Sequence, residues 1–121
     1  MFNLVRRDGA RENSGHYEAL TPTQAGNPTA VGQVVLFGGK PYGIVERIHK
    51  NESGIATGVT VLRITDEMEF EVKVEDTGVF VFGTKYKLNG DKNSITTATD
   101  ENGATFIAAV SDTVALVRFE A

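Results

Sequence analysis

The sequence predicts an all-β domain, a small β-barrel or β-sandwich of about eight short strands, with an extended N-terminal arm. Three observations carry this. From Gly32 onward, short runs rich in Val, Ile, Phe and Thr recur along the chain. Turn-forming pairs such as Gly38-Gly39 and Asn89-Gly90 separate those runs. No stretch holds the sustained 3.6-residue apolar period of an amphipathic helix.

Each strand candidate has its own signature. Val34-Val-Leu-Phe37 is a short apolar run closed by two glycines, and Tyr42-Gly-Ile-Val-Glu-Arg-Ile48 follows it. Asn51-Glu-Ser-Gly54 is a turn, and Val59-Thr-Val-Leu-Arg-Ile64 resumes the β pattern. Met68-Glu-Phe-Glu-Val-Lys-Val74 alternates most cleanly. Met68, Phe70, Val72 and Val74 share one face, while Glu69, Glu71 and Lys73 share the other, as in a half-buried strand. Val79-Phe-Val-Phe82 is apolar on both faces, so it reads as a strand of the core or of a subunit contact. Lys85-Tyr-Lys-Leu88, Ile95-Thr-Thr-Ala-Thr99, Thr105-Phe-Ile-Ala-Ala-Val110 and Thr113-Val-Ala-Leu-Val-Arg-Phe119 complete the set.

The length of 121 residues suits one domain. We divide it into an arm over 1–30, extended or ordered by a partner, and a β domain over 31–121. The arm contains isolated apolar groups and the Pro-bearing stretch Thr21-Pro-Thr-Gln-Ala-Gly-Asn-Pro28, which disfavours helix. Phe2, Leu4 and Val5 cluster beside Arg6 and Arg7. Such a segment can add to a neighbour's sheet edge, or form a strand of its own sheet, or stay flexible.

Composition excludes several functions. A net charge of −4 argues against a phosphate-binding surface and so against nucleic acid. The lack of cysteine removes disulfides, thiolate metal sites and cysteine nucleophiles. No run approaches the ~20 apolar residues of a membrane helix, and the N-terminus lacks signal-peptide order.

The sequence carries only fragments of the familiar catalytic and metal-binding patterns. His16 and His49 have no Gly-x-Ser-x-Gly elbow to serve. The acidic run from Asp66 to Asp76 reads as a solvated strand face. The Asn89–Asn93 and Asp100–Gly103 segments mix Asp and Asn as calcium loops do, but lack the twelve-residue frame with its terminal Glu. Gly38-Gly39-Lys40-Pro41 lacks Walker spacing. The chain therefore reads as a binding protein without enzymatic activity, metal or cofactor. Tyr17, Tyr42 and Tyr86 leave open a small carbohydrate- or peptide-binding module.

From Gly32 to Phe119 the order of features resembles the small β-barrel head-decoration (capsid cement) proteins of tailed bacteriophages. The carrying stretches are Gly32–Val45, Gly78-Val-Phe80, Gly83–Gly90, Ile95-Thr-Thr97, Phe106–Val110 and Val114–Phe119. In Ile107-Ala-Ala-Val110 an alanine stands where the family pattern has glycine, and the segments 50–58 and 67–75 are more polar than that pattern. The resemblance implies a virion protein, made in the host cytoplasm, that binds major capsid protein on the outer head surface. It implies a homo-oligomer, a trimer, and docking through the arm at Phe2, Leu4, Val5, Arg6 and Arg7. The alternative is another virion β-component, a head–tail connector or tail protein.

Overall fold

The computed structural model describes residues 1–7, 17–66 and 68–120. In chain order the strands are β1 (Phe2–Arg7), β2 (Tyr17–Leu20), β3 (Val34–Phe37), β4 (Lys40–Lys50), β5 (Ala56–Arg63), β6 (Met68–Lys73), β7 (Lys85–Leu88), β8 (Ile95–Thr99), β9 (Ala104–Ser111) and β10 (Val114–Arg118). They form two antiparallel sheets, β1-β6-β10-β9-β7-β8 and β2-β5-β4-β3. The sheets pack as an open sandwich and do not close into a barrel.

Period-two alternation builds the core. Met68, Phe70 and Val72 on β6 are fully buried and join Val34, Ile44 and Leu62 of the smaller sheet in one cluster. Phe119 closes it, with ring centroids 5.6 Å from Phe70 and 5.3 Å from Phe2. The smaller sheet is buried on its other face as well. Val35, Val45, Val59 and Val61 form a second cluster there with Leu20 and Ala25. Neighbouring Val34 and Val35 thus enter different cores, which explains why this strand is apolar without alternation. Ala25 is supplied by the turn after β2. In that turn the Thr21 N–H donates to Gln24 Oε1 and the Gln24 N–H donates to Thr21 Oγ1, the reciprocal pattern of a capping box.

Turn chemistry sets the strand pairings. Gly38 and Gly39 have φ of 61° and 81°, the left-handed pair that a two-residue hairpin requires. Asn51 Oδ1 accepts from the N–H groups of Ser53 and Ile55. Asn89 Oδ1 accepts from those of Asn93 and Ser94. Gln33 locks the two sheets' loops together, since its amide accepts from the Thr29 and Ala30 N–H groups and donates to the Asp91 carbonyl.

Three sequence expectations meet a different placement. First, Phe2–Arg7 is an edge strand of the larger sheet, paired with β6 from Phe2↔Val72 to Arg7↔Met68. Tyr17–Leu20 is likewise an edge strand of the smaller one. These parts of the expected arm over 1–30 are built into the β domain, because their apolar residues complete both cores. Second, Val79–Phe82 is not a strand. Thr77–Val79 forms a single 3₁₀ turn and the chain then loops to β7. Third, β6 is no edge, and Glu69 is only 6% exposed. Arg118 lies directly across the ladder and its guanidinium meets Glu69 Oε2 at 2.8 Å, so the carboxylate is paired where a solvated face was expected.

Candidate binding surface

The segment Asp76–Thr84 joins β6 to β7 and crosses the open side of β9. Its first half is pinned by backbone carbonyls of the β9–β10 turn. The Thr77 N–H donates to the Asp112 carbonyl at 2.9 Å, and Thr77 Oγ1 donates to that of Ser111 at 2.8 Å. Asp76 caps the 3₁₀ turn by accepting from the Gly78 N–H at 2.9 Å. The second half is pinned from below. The Val81 N–H donates to the Tyr86 hydroxyl at 2.8 Å, and the Gly83 N–H donates to the Phe106 carbonyl at 2.9 Å. Gly83 has φ of 82°, which turns the chain back into β7.

Phe80 is the segment's own anchor. Its ring meets Tyr86 edge-on at 4.8 Å and stacks on Phe106 at 5.7 Å. With Phe80 turned inward, its neighbours turn outward. Val79 is 53%, Val81 63% and Phe82 73% exposed. Val110 on the adjoining end of β9 is exposed too. Single exposed apolar residues are ordinary, but three within four positions on a held loop form a patch of the kind found at interaction sites. Glu75, Asp76 and Asp112 flank the tip in sequence and through the Thr77 contacts. The surface is therefore an apolar knob with acidic residues beside its N-terminal half and Lys85 after its C-terminal end.

The other expected site residues fall elsewhere. Phe2 is core, Leu4 packs against the core at half exposure, and Val5 is exposed. Arg6 and Arg7 end β1. Asp8 to His16, which include Arg11 and one of the two histidines, lie outside the described residues. His49 Nε2 shares a hydrogen bond with Thr60 Oγ1 at 2.9 Å. The three tyrosines are not brought together. Tyr86 is buried, whereas Tyr42 stacks on Phe37 at 4.1 Å, lies beneath the Arg63 guanidinium and donates to Glu18 at 2.6 Å. That hydrogen bond, with burial and the Glu18 charge adding to it, raises the Tyr42 hydroxyl pKa against the opposing pull of Arg63. Among the described residues no group of three or more acidic or histidine side chains is placed to hold a metal ion.

Sequence reasoning missed Tyr86 as the support of this surface. Its signal was present in the alternation Lys85-Tyr-Lys87, which turns the tyrosine inward. The fold and surface describe an all-β sandwich with a preorganised apolar knob. No protein-family model, curated protein or solved structure matches the chain.

Proposed function

We propose that this chain is a capsid decoration protein, which binds the outer surface of a phage head through protein–protein contacts and stabilises the capsid lattice. The observation that carries the binding part is the knob at Val79, Val81 and Phe82, exposed yet held at Thr77, Val81 and Gly83. A loop fixed before binding loses little entropy on docking, and an exposed aromatic is the usual energetic anchor of an interface. The capsid part rests on the resemblance over Gly32–Phe119, of whose stretches Gly78-Val-Phe80 contains Val79 of the knob and Gly83–Gly90 follows it directly. The partner is then the major capsid protein. Repetition over the lattice, with the chain as a homo-oligomer, turns modest single contacts into tight overall attachment.

Sedimentation of the purified protein with shells assembled from the major capsid protein of the same genome tests this. Wild type pellets with the shells, and Phe82→Ser stays in the supernatant while keeping its fold. A wild-type protein that stays in the supernatant refutes the capsid role. Electron microscopy of labelled protein confined to the tail vertex favours a connector or tail component instead.

A further inference from the structure

The two sheets part along one seam. There β3 is the free edge of the four-stranded sheet, while β7 and β8 end the six-stranded one. An open cavity of about 600 Å³ lies in the gap, bordered by Leu36, Lys87, Leu88, Lys92 and Ala98 among others. A smaller one of about 280 Å³ adjoins it and shares Leu36 and Lys92.

The backbone of this edge is only partly satisfied. Strand residues alternate the direction of their hydrogen-bonding groups. Phe37 pairs with Lys40 across the glycine hairpin, so Leu36 turns its N–H and C=O away from β4 and into the seam. Val34 faces the same way, and its N–H donates to the Lys92 carbonyl at 2.8 Å. No backbone group of the described residues meets Leu36 in that manner.

Lys92 supplies an independent observation. Its φ is 57°, a left-handed conformation that glycine or asparagine holds with less strain. Asn27 is the other non-glycine residue there among the described residues, and asparagine suits it. A lysine at the 92 position is strained and borders the cavity, as does Lys87. Neither has a carboxylate partner among the described residues. Asp100 also borders the cavity, but its Oδ1 already accepts from the Asn102 N–H at 2.9 Å.

We propose that this seam is a docking groove for an extended, acidic segment of a partner protein. The segment pairs its main chain with the free groups of Leu36, as strands add to sheet edges elsewhere. An aliphatic side chain enters the cavity between Leu36, Leu88 and Ala98. Flanking carboxylates meet Lys87 and Lys92. The strain at Lys92 persists because the charge is used. This surface is distinct from the knob and does not depend on the decoration reading.

The test is a titration of the full chain, followed by amide NMR, with the capped peptide Thr-Val-Glu-Leu-Glu-Val-Thr and its counterpart carrying Lys for Glu. The acidic peptide shifts the amides of Leu36, Phe37, Lys87 and Ala98 and slows exchange at Leu36. The lysine counterpart binds at least tenfold more weakly. Lys92→Gly melts at a higher temperature than wild type, yet binds the acidic peptide about threefold more weakly, the worth of one exposed ion pair. Ala98→Trp fills the cavity and abolishes the shifts while the rest of the spectrum stays folded. No shifts at millimolar acidic peptide, or shifts confined to Val79–Phe82, overturn the proposal. So does equal affinity for both peptides, or a Lys92→Gly chain that melts lower or binds equally well.

Discussion

The hydroxyl oxygen of Tyr86 lies 2.8 Å from the backbone nitrogen of Val81, and that contact ties a core strand to the exposed knob. Tyr86 itself is buried, with its ring against Phe80. Val81 therefore presents its side chain to solvent while its peptide group is held from beneath. Removing the hydroxyl leaves the Val81 N–H to find water at a partly covered position. Tyr86→Phe should cost about 1–2 kcal/mol in urea denaturation and raise amide exchange at Val81 far more than at Val72. Equal exchange at Val81 in both proteins would show that the loop is held without it.

The N-terminal strand should behave as structure. Phe2 is 2% exposed, and β1 covers one edge of β6. Phe2→Ala should destabilise the domain by about 3 kcal/mol or more, the range for a buried phenylalanine. Removing residues 1–7 should cost more, because it also strips the β6 ladder of its partner. A truncated protein with an unchanged thermal midpoint would return this segment to the role of a free docking arm.

The pair Glu69–Arg118 and the half-exposed Glu71 allow an internal comparison. They sit on the same strand face, but only Glu69 is both buried and ion-paired. Glu69→Ala should cost about 1–3 kcal/mol, since it strips Arg118 of its carboxylate. Glu71→Ala should stay within about 0.5 kcal/mol of wild type. Chemical denaturation midpoints of the two variants measure the difference directly.

Gly103 has no room for a side chain. A Cβ there would overlap the Tyr86 carbonyl where β7 leaves β9. Gly103→Ala should therefore shift the β7–β9 pairing and lower stability by about 2 kcal/mol or more. It should also disturb the NMR signals of Val81 and Phe82 through Tyr86, although those residues are remote in sequence.

Alkaline pH should weaken the fold partly through Tyr42. Its hydroxyl donates to Glu18, and the fold raises its pKa, so the folded state favours the protonated form. A raised value means that this contribution is fully present below the unfolded pKa of about 10 and is lost as pH rises through the folded one. Tyr42→Phe should lower stability at neutral pH and show a smaller further loss on moving to alkaline pH. Urea midpoints at the two pH values give the comparison.

The legible parts of the fold are those set by local chemistry. The alternation of β6, the left-handed glycine pair at 38–39 and the asparagine turns at 51 and 89 all act within a few residues. The illegible parts depend on distant partners. Val79–Phe82 reads as a strand from its side chains alone. What breaks it are the Ser111 and Asp112 carbonyls and the Tyr86 hydroxyl, which reach the loop only through the fold. Glu69 reads as solvated because Arg118 stands far along the chain. The sequence reads Val79 to Phe82 as a strand of the core or of a subunit contact, whereas in the fold Phe80 alone turns inward and Val79, Val81 and Phe82 are exposed.

The pairing of β1 with β6 has a consequence for how the molecule forms. Phe2 and Val72 are ladder partners although nearly sixty percent of the chain separates them. During synthesis the first strand must wait, with its phenylalanine uncovered, until β6 has emerged. It then competes with β10 for nothing, since each takes a different edge of β6. Closing so long a loop before its contacts reward it places folding in the millisecond-to-second range of topologically non-local β proteins, roughly 1 ms to 1 s. Stopped-flow refolding should show a rate within that range.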